Sequence, residues 1–168
     1  MRTVWLLAAA SLVLAGCGGL RPLYGGGIDG QVQTLLTTVE VAPIEGQAGW
    51  LVANALRDRI ETGRTTTARY RLEVKLDDQI AGLGVRRDDS VARERRTLRA
   101  RYQLIDLSNG QVMLDATAGS DAGIDVVGSE YATIAAEKSA LERLSGIVAD
   151  QIVSRVALYV RRTAPAKP

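Results

Sequence analysis

A chain of 168 residues with 21 Lys and Arg against 19 Asp and Glu carries a formal charge of only +2, too balanced to name a polyanionic partner, and nothing in it marks a nucleic-acid interface. It has no histidine and a single cysteine. The first removes the usual general base and the commonest zinc ligand, the second excludes an internal disulfide, and the chain offers no catalytic set, metal site or cofactor motif to assign.

The N-terminus reads as a lipoprotein signal. Arg2 supplies the positive start, an apolar stretch follows from Val4 to Leu14, and the tetrapeptide Leu14-Ala15-Gly16-Cys17 puts small residues beside a scissile bond and the lone cysteine just after it. The apolar run is shorter than the about 20 residues that span a bilayer. Residues 1–16 are therefore expected to be removed and Cys17 to become an acylated N-terminus. Residues 17–36 form the lipidated start and a flexible tether, with Gly18, Gly19 and Gly25 to Gly27 giving freedom and Pro22 blocking a helix. Leu20, Leu23 and Tyr24 are unusual in a pure linker and are as well suited to docking on an apolar surface as to exposure.

A single domain is expected over residues 37–162. Its first strand spans residues 37–44, where Val39 and Val41 alternate with polar neighbours and Pro43 ends the pattern. A helix follows over 47–62, with Val52, Leu56 and Ile60 on one stripe and Gly63 as C-cap. Residues 68–81 alternate most cleanly: Tyr70, Leu72, Val74, Leu76 and Ile80 lie on one face, Arg69, Arg71, Glu73, Lys75 and Asp77 on the other. After a polar connection through Gly82, Gly84 and residues 86–90, a strand over 91–107 turns Leu98, Ala100, Tyr102 and Leu104 inward.

The next turn holds Ser108-Asn109-Gly110. A two-residue Asn-Gly turn would pair Leu104 with Asp115 and mix the faces. A three-residue bulged loop with Gly110 left-handed instead pairs Leu104 with Leu114 and Tyr102 with Ala116, placing Val112, Leu114, Ala116 and Ala118 on the apolar side. From Ser129 as N-cap, helical periodicity runs to about residue 162 through Ile134, Leu141, Val148, Ile152, Val156 and Tyr159, with Gly146 as a weak point or close-packing site. Such a helix is about 50 Å long and should project beyond the sheet. The tail, 163–168, is expected to be disordered. The fold class is α+β: a two-layer sandwich of a four-stranded, mostly antiparallel sheet with two helices on one face, in the order β-α-β-β-β-α.

Two features could carry chemistry. The doublets Asp77-Asp78 and Asp88-Asp89 could hold a metal or share a proton, but adjacent strand residues face opposite sides, so solvated turns explain them better. The other feature is a row of arginines. Arg93, Arg95, Arg99 and Arg101 leave one face of one strand, with Arg69 and Arg71 on a neighbouring strand of the same face. Forked guanidinium groups suit phosphates or an acidic wall, although a solvated outer face interleaved with Glu73, Asp77 and Asp115 accounts for the same pattern.

The lipobox, the segment Cys-Gly-Gly-Leu-Arg-Pro-Leu-Tyr-Gly from Cys17 to Gly25, the element order and the helix start Ser129-Glu130-Tyr131-Ala132 together resemble the LPS-assembly lipoprotein LptE family, most closely its alphaproteobacterial branch. Arg-Pro-Leu-Tyr-Gly is the most specific of these motifs. The resemblance implies an outer-membrane lipoprotein on the periplasmic side, anchored through acylated Cys17, whose domain plugs the LptD β-barrel and helps carry lipopolysaccharide to the cell surface. It implies no enzyme activity and no cofactor. Gly18, where Asp would retain the protein in the inner membrane, agrees with sorting outward. Of the family's functional residues only Cys17 is carried over; the arginine row as a lipopolysaccharide or partner contact rests on its own chemistry. The alternative from another class is a free periplasmic lipid-binding lipoprotein or carrier, which would need an apolar cavity between sheet and helices.

Overall fold

The computed structural model describes residues 36–60, 67–85, 91–126 and 129–163. Cys17, the signal peptide and the tether up to residue 35 lie outside them, as do Gly63, Asp88, Asp89 and the tail beyond residue 163. The elements are β1 (Val39–Val41), α1 (Gly46–Ile60), β2 (Tyr70–Val85), β3 (Val91–Asp106), β4 (Val112–Asp125) and α2 (Glu130–Thr163). The order β-α-β-β-β-α is the expected one. The sheet runs β1-β2-β3-β4, with β1 parallel to β2 and the other pairs antiparallel.

β1 is shorter than its alternating pattern. Ala42 N–H still donates to Leu72 C=O at 3.0 Å, and the strand ends at Val41, with Pro43 two residues on. Conversely, β2 runs through Gly82 to Val85, so Asp77 and Asp78 lie within a strand and not at its end. The strands of 16, 16 and 14 residues are about 50 Å long, matching the 34-residue α2. Length mismatch therefore does not make the helix project. Its burial nevertheless starts only at Ala140, and the first turns leave Tyr131 89 % and Ile134 54 % exposed.

Strand periodicity decides which side is covered. Leu72 and Val74 of β2 and Leu98, Ala100, Tyr102 and Leu104 of β3 are buried, while Arg71, Glu73, Lys75, Asp77, Arg93, Arg95, Arg99 and Arg101 are exposed. Val52, Leu56 and Ile60 of α1 and Leu141, Leu144, Val148, Ile152 and Val156 of α2 join the same core. Both helices therefore cover one face, each fully buried aliphatic side chain contributing about 1.5–3 kcal/mol. Leu36, at the end of the predicted tether, is only 2 % exposed and belongs to this core.

The hairpin keeps the expected pairs but reaches them differently. Leu104 opposes Leu114 and Tyr102 opposes Ala116, with Gly110 left-handed at φ 72°. Asp106 N–H donates to Gln111 C=O and Gly110 N–H to Asp106 C=O, closing a loop over residues 107–110 instead of the predicted three-residue one. The extra residue is absorbed at Met113, a bulge between the pairs Leu104 with Leu114 and Ile105 with Val112. Met113 packs on the core, and Val112, expected inward, is turned out and 51 % exposed.

Candidate functional site

The outer face of the sheet is where the sequence concentrates charge, and its register decides what each arginine can do. Arg93 on β3 lies opposite Asp125 on β4 and donates through Nε at 2.9 Å. Arg101 reaches Asp115 through Nε at 3.2 Å and Nη2 at 2.9 Å, and Gln103 Nε2 donates to the same carboxylate at 2.8 Å. The bonds from Arg101 and then Gln103 hold the Asp115 carboxyl below its ordinary pKa, and the bond to Asp115 raises that of Arg101. Arg71 donates to Glu40 of β1 at 2.7 Å. Arg69 stacks 5.2 Å from the centre of the Tyr70 ring and stands 3.6 Å from Asp106.

Arg95 and Arg99 differ. Both are exposed, and neither has a carboxylate partner among the described residues. Arg95 lies between Ala81 and Gly123, which have nothing to offer it. Arg99 lies between Asp77 and Gly119, but Asp77 accepts from Gln79 Nε2 at 3.1 and 3.2 Å. A Cβ at position 119 would come within 3.3 Å of Arg99 Cγ, so glycine gives the arginine stem room to lie across β4. Beside it opens a groove of about 480 Å³ bordered by Lys75, Asp77, Arg99, Arg101 and Thr117. The six predicted arginines thus separate into four that are tied to carboxylates and two whose forks are free for an anion.

Sequence patterning missed the polar group on the inner face. Asp78 and Arg96 share parity with Leu76 and Leu98, so both point toward the helices. Arg96 donates to Asp78 through Nε at 2.9 Å and Nη2 at 2.6 Å, and through Nη1 to the Glu137 C=O of α2 at 3.0 Å. The hydrogen bond to Asp78 raises the Arg96 pKa against the opposing effect of burial. Nearby on the same strand, Glu94 Oε2 is buried without a partner among the described residues. The signal was available in the even numbering of 78, 94 and 96. Asp77 and Asp78 face opposite sides, as adjacent strand residues must.

Among the described residues no group of three or more Cys, Asp or Glu could hold a metal ion, and no helix is long and apolar enough to cross a membrane. A comparison with curated proteins returns no match. Among solved structures, a lipoprotein from Caulobacter crescentus CB15 is 26 % identical with a TM-score of 0.67, covering 80 % of this chain and 98 % of that one. The minor lipoprotein of Acinetobacter baumannii (12 % identity, TM-score 0.56, 71 % and 91 % covered) and lipoprotein B of Nitrosomonas europaea (17 %, 0.56, 81 % and 92 %) share the fold. The profile of the family described as LptE, Lipopolysaccharide-assembly, matches residues 36–156. That span begins at the buried Leu36, crosses all four described strands and ends in α2, and the chain belongs to the LptE lipopolysaccharide-assembly family.

Proposed function

We propose that this chain is an outer-membrane lipoprotein, held on the periplasmic side by acylated Cys17, that plugs an LptD-type β-barrel and assists lipopolysaccharide transport through it. Residues 1–16 are the signal, those from Cys17 to residue 35 the lipidated tether, and the plug runs from Leu36, buried in the core, to the end of α2 at Thr163. The observation that carries this reading is the family match over residues 36–156. The work is binding and not catalysis, in keeping with a chain that has no histidine to act as a base.

On this reading the uncovered sheet face supplies the contact. Arg95 and Arg99 take lipid phosphates, while Arg71, Arg93 and Arg101 hold the acids that keep the face near neutral and can exchange partners at low cost, since exposed ion pairs contribute only about 0–1 kcal/mol each. A free lipid carrier fits less well. The space between sheet and helices is filled by Leu56, Ile60, Leu72, Leu98, Leu141 and Ile152, each 1 % exposed or less, where acyl chains would have to lie.

Titration with purified lipopolysaccharide tests the assignment. Arg95→Glu/Arg99→Glu should weaken binding about tenfold or more, and the already paired Arg71→Glu by clearly less. Equal affinity in the wild type and the double variant would return the two arginines to a solvated surface. Mass spectrometry of the mature chain should find a diacylglyceryl-modified, acylated residue 17 at the N-terminus; an unmodified chain starting at Met1 would contradict the anchor.

A further inference from the structure

Gly119 turns its backbone groups to the open edge of β4, and Gln151 of α2 closes that position: Oε1 accepts from Gly119 N–H at 3.0 Å and Nε2 donates to Gly119 C=O at 3.3 Å. Strand parity turns the N–H and C=O of Thr117 to the same edge, where no side chain meets them among the described residues. Between that edge and the next turns of α2 runs a groove of about 510 Å³, bordered by Thr117, Ser154, Arg155 and Leu158. Tyr102 reaches it from the middle of the sheet. Its backbone lies on β3 opposite Ala116, so only the side chain, passing over that small residue, arrives at the far edge of β4. Tyr102 is 1 % exposed, and its hydroxyl has no hydrogen-bond partner among the described residues, although buried phenols ordinarily find one. Arg155 and the Ser154 hydroxyl lack partners there as well. Asp150, the acid that borders the groove, is held by Arg59 of α1 at 2.6 Å and does not neutralise Arg155. Burial raises the pKa of the Tyr102 phenol, and the charge of Arg155 stands near enough to oppose that rise.

One cation flanked by hydroxyls suits a singly charged carboxylate better than a phosphate monoester, which brings close to two charges. The backbone at Thr117 says what carries that carboxylate. An N–H donor beside a C=O acceptor is met by another peptide unit, whereas an ionised phosphate offers no donor to the C=O. We propose that the groove receives an acidic side chain from an extended segment of a protein partner laid along the edge of β4 at Thr117. The partner residue that bonds to Thr117 turns its side chain to the outer face of the sheet. Its neighbour, opposite Ala116, turns an Asp or Glu carboxylate inward to Arg155, the Ser154 hydroxyl and the Tyr102 hydroxyl. Gln151 occupies the backbone of Gly119 and so fixes where the added ladder stops. Leu158, 43 % exposed, gives the segment an apolar contact at the groove. The site lies on the helix side of this edge and is independent of what the arginines on the outer face bind.

NMR titration of the full chain in detergent micelles tests it, using short capped peptides of alternating Thr and Val whose central residue is either Glu or Gln. The Glu peptide should shift the amides of residues 116–118 and 154–158 and bind at least about fivefold more tightly than the Gln peptide. Arg155→Gln should remove that preference. Tyr102→Phe should weaken binding of the Glu peptide about threefold or more while leaving the melting temperature unchanged or higher, because the hydroxyl bonds to nothing among the described residues. Equal affinity for the two peptides, a preference that survives Arg155→Gln, indifference to Tyr102→Phe, shifts confined to other parts of the sheet, or no binding by about 5 mM would each overturn the proposal. Inorganic phosphate that moves the same amides at lower concentration than the Glu peptide would overturn it equally, since the groove would then be a phosphate site.

Discussion

Gly49 has no room for a side chain. A Cβ there would stand 2.6 Å from the C=O oxygen of Ile44, which is backbone and cannot rotate away. Gly49→Ala should therefore cost about 1–3 kcal/mol in chemical denaturation, whereas Gly123→Ala, with nothing within 4 Å, should cost far less. Asp106 is nearly buried beneath the hairpin loop and accepts from Ser108 Oγ at 2.6 Å and Ser108 N–H at 2.9 Å. Those bonds, with Arg69 a lesser contributor, hold its carboxyl below the ordinary carboxylate range. A carboxyl whose pKa is lower in the folded state contributes stability above its unfolded pKa, and the contribution disappears as pH falls through the folded value. Unfolding followed from pH 7 downward should show stability declining from about pH 4, and Asp106→Asn should be less stable at pH 7 and flatter across that acid limb. Neither residue was legible beforehand: the clash at Gly49 depends on a chain reversal at Ile44, and the burial of Asp106 depends on which loop closes the hairpin.

At the scale of elements, Arg96 ties α2 to the sheet ahead of the first fully buried turn at Ala140. Arg96→Ala would leave Asp78 unpaired and the Glu137 end of the helix without its anchor. The expected cost is about 1–3 kcal/mol, with faster hydrogen exchange over residues 130–139 and little change near Val156. Gln151→Ala should speed exchange of the Gly119 amide in the same way, because its hydrogen bond comes from that side chain alone. How far the elements can be read from the chain depends on the length of each pattern. The 3.6-residue stripe of α2 and the alternation of β2 are long enough to identify themselves, and matching apolar sets place Leu104 opposite Leu114. Bulge position is different. Val112 and Met113 are both apolar, so either could be turned inward, and only the hydrogen bonds of the loop over residues 107–110 select Met113. β2 extends past its apolar alternation because backbone pairing with β3 continues to Val85 opposite Val91 whatever the side chains.

Among the described residues the sheet is covered by helices on one side and charged on the other, and the proposed plug role places that charged side against a larger partner. Family membership was readable from the Arg21-Pro22-Leu23-Tyr24-Gly25 segment together with the element order, and the profile match extends through the folded part. Division of the arginine row was not readable, since it depends on cross-strand neighbours: register sets Asp125 opposite Arg93, but Gly123 and Ala81 on either side of Arg95. The most direct measurement of the central claim is native isolation of the lipidated chain from outer membranes in mild detergent, followed by mass spectrometry of whatever remains bound. A large β-barrel protein in near-equal amount, retained through size exclusion, is the predicted result. A preparation that carries no β-barrel protein would contradict the account.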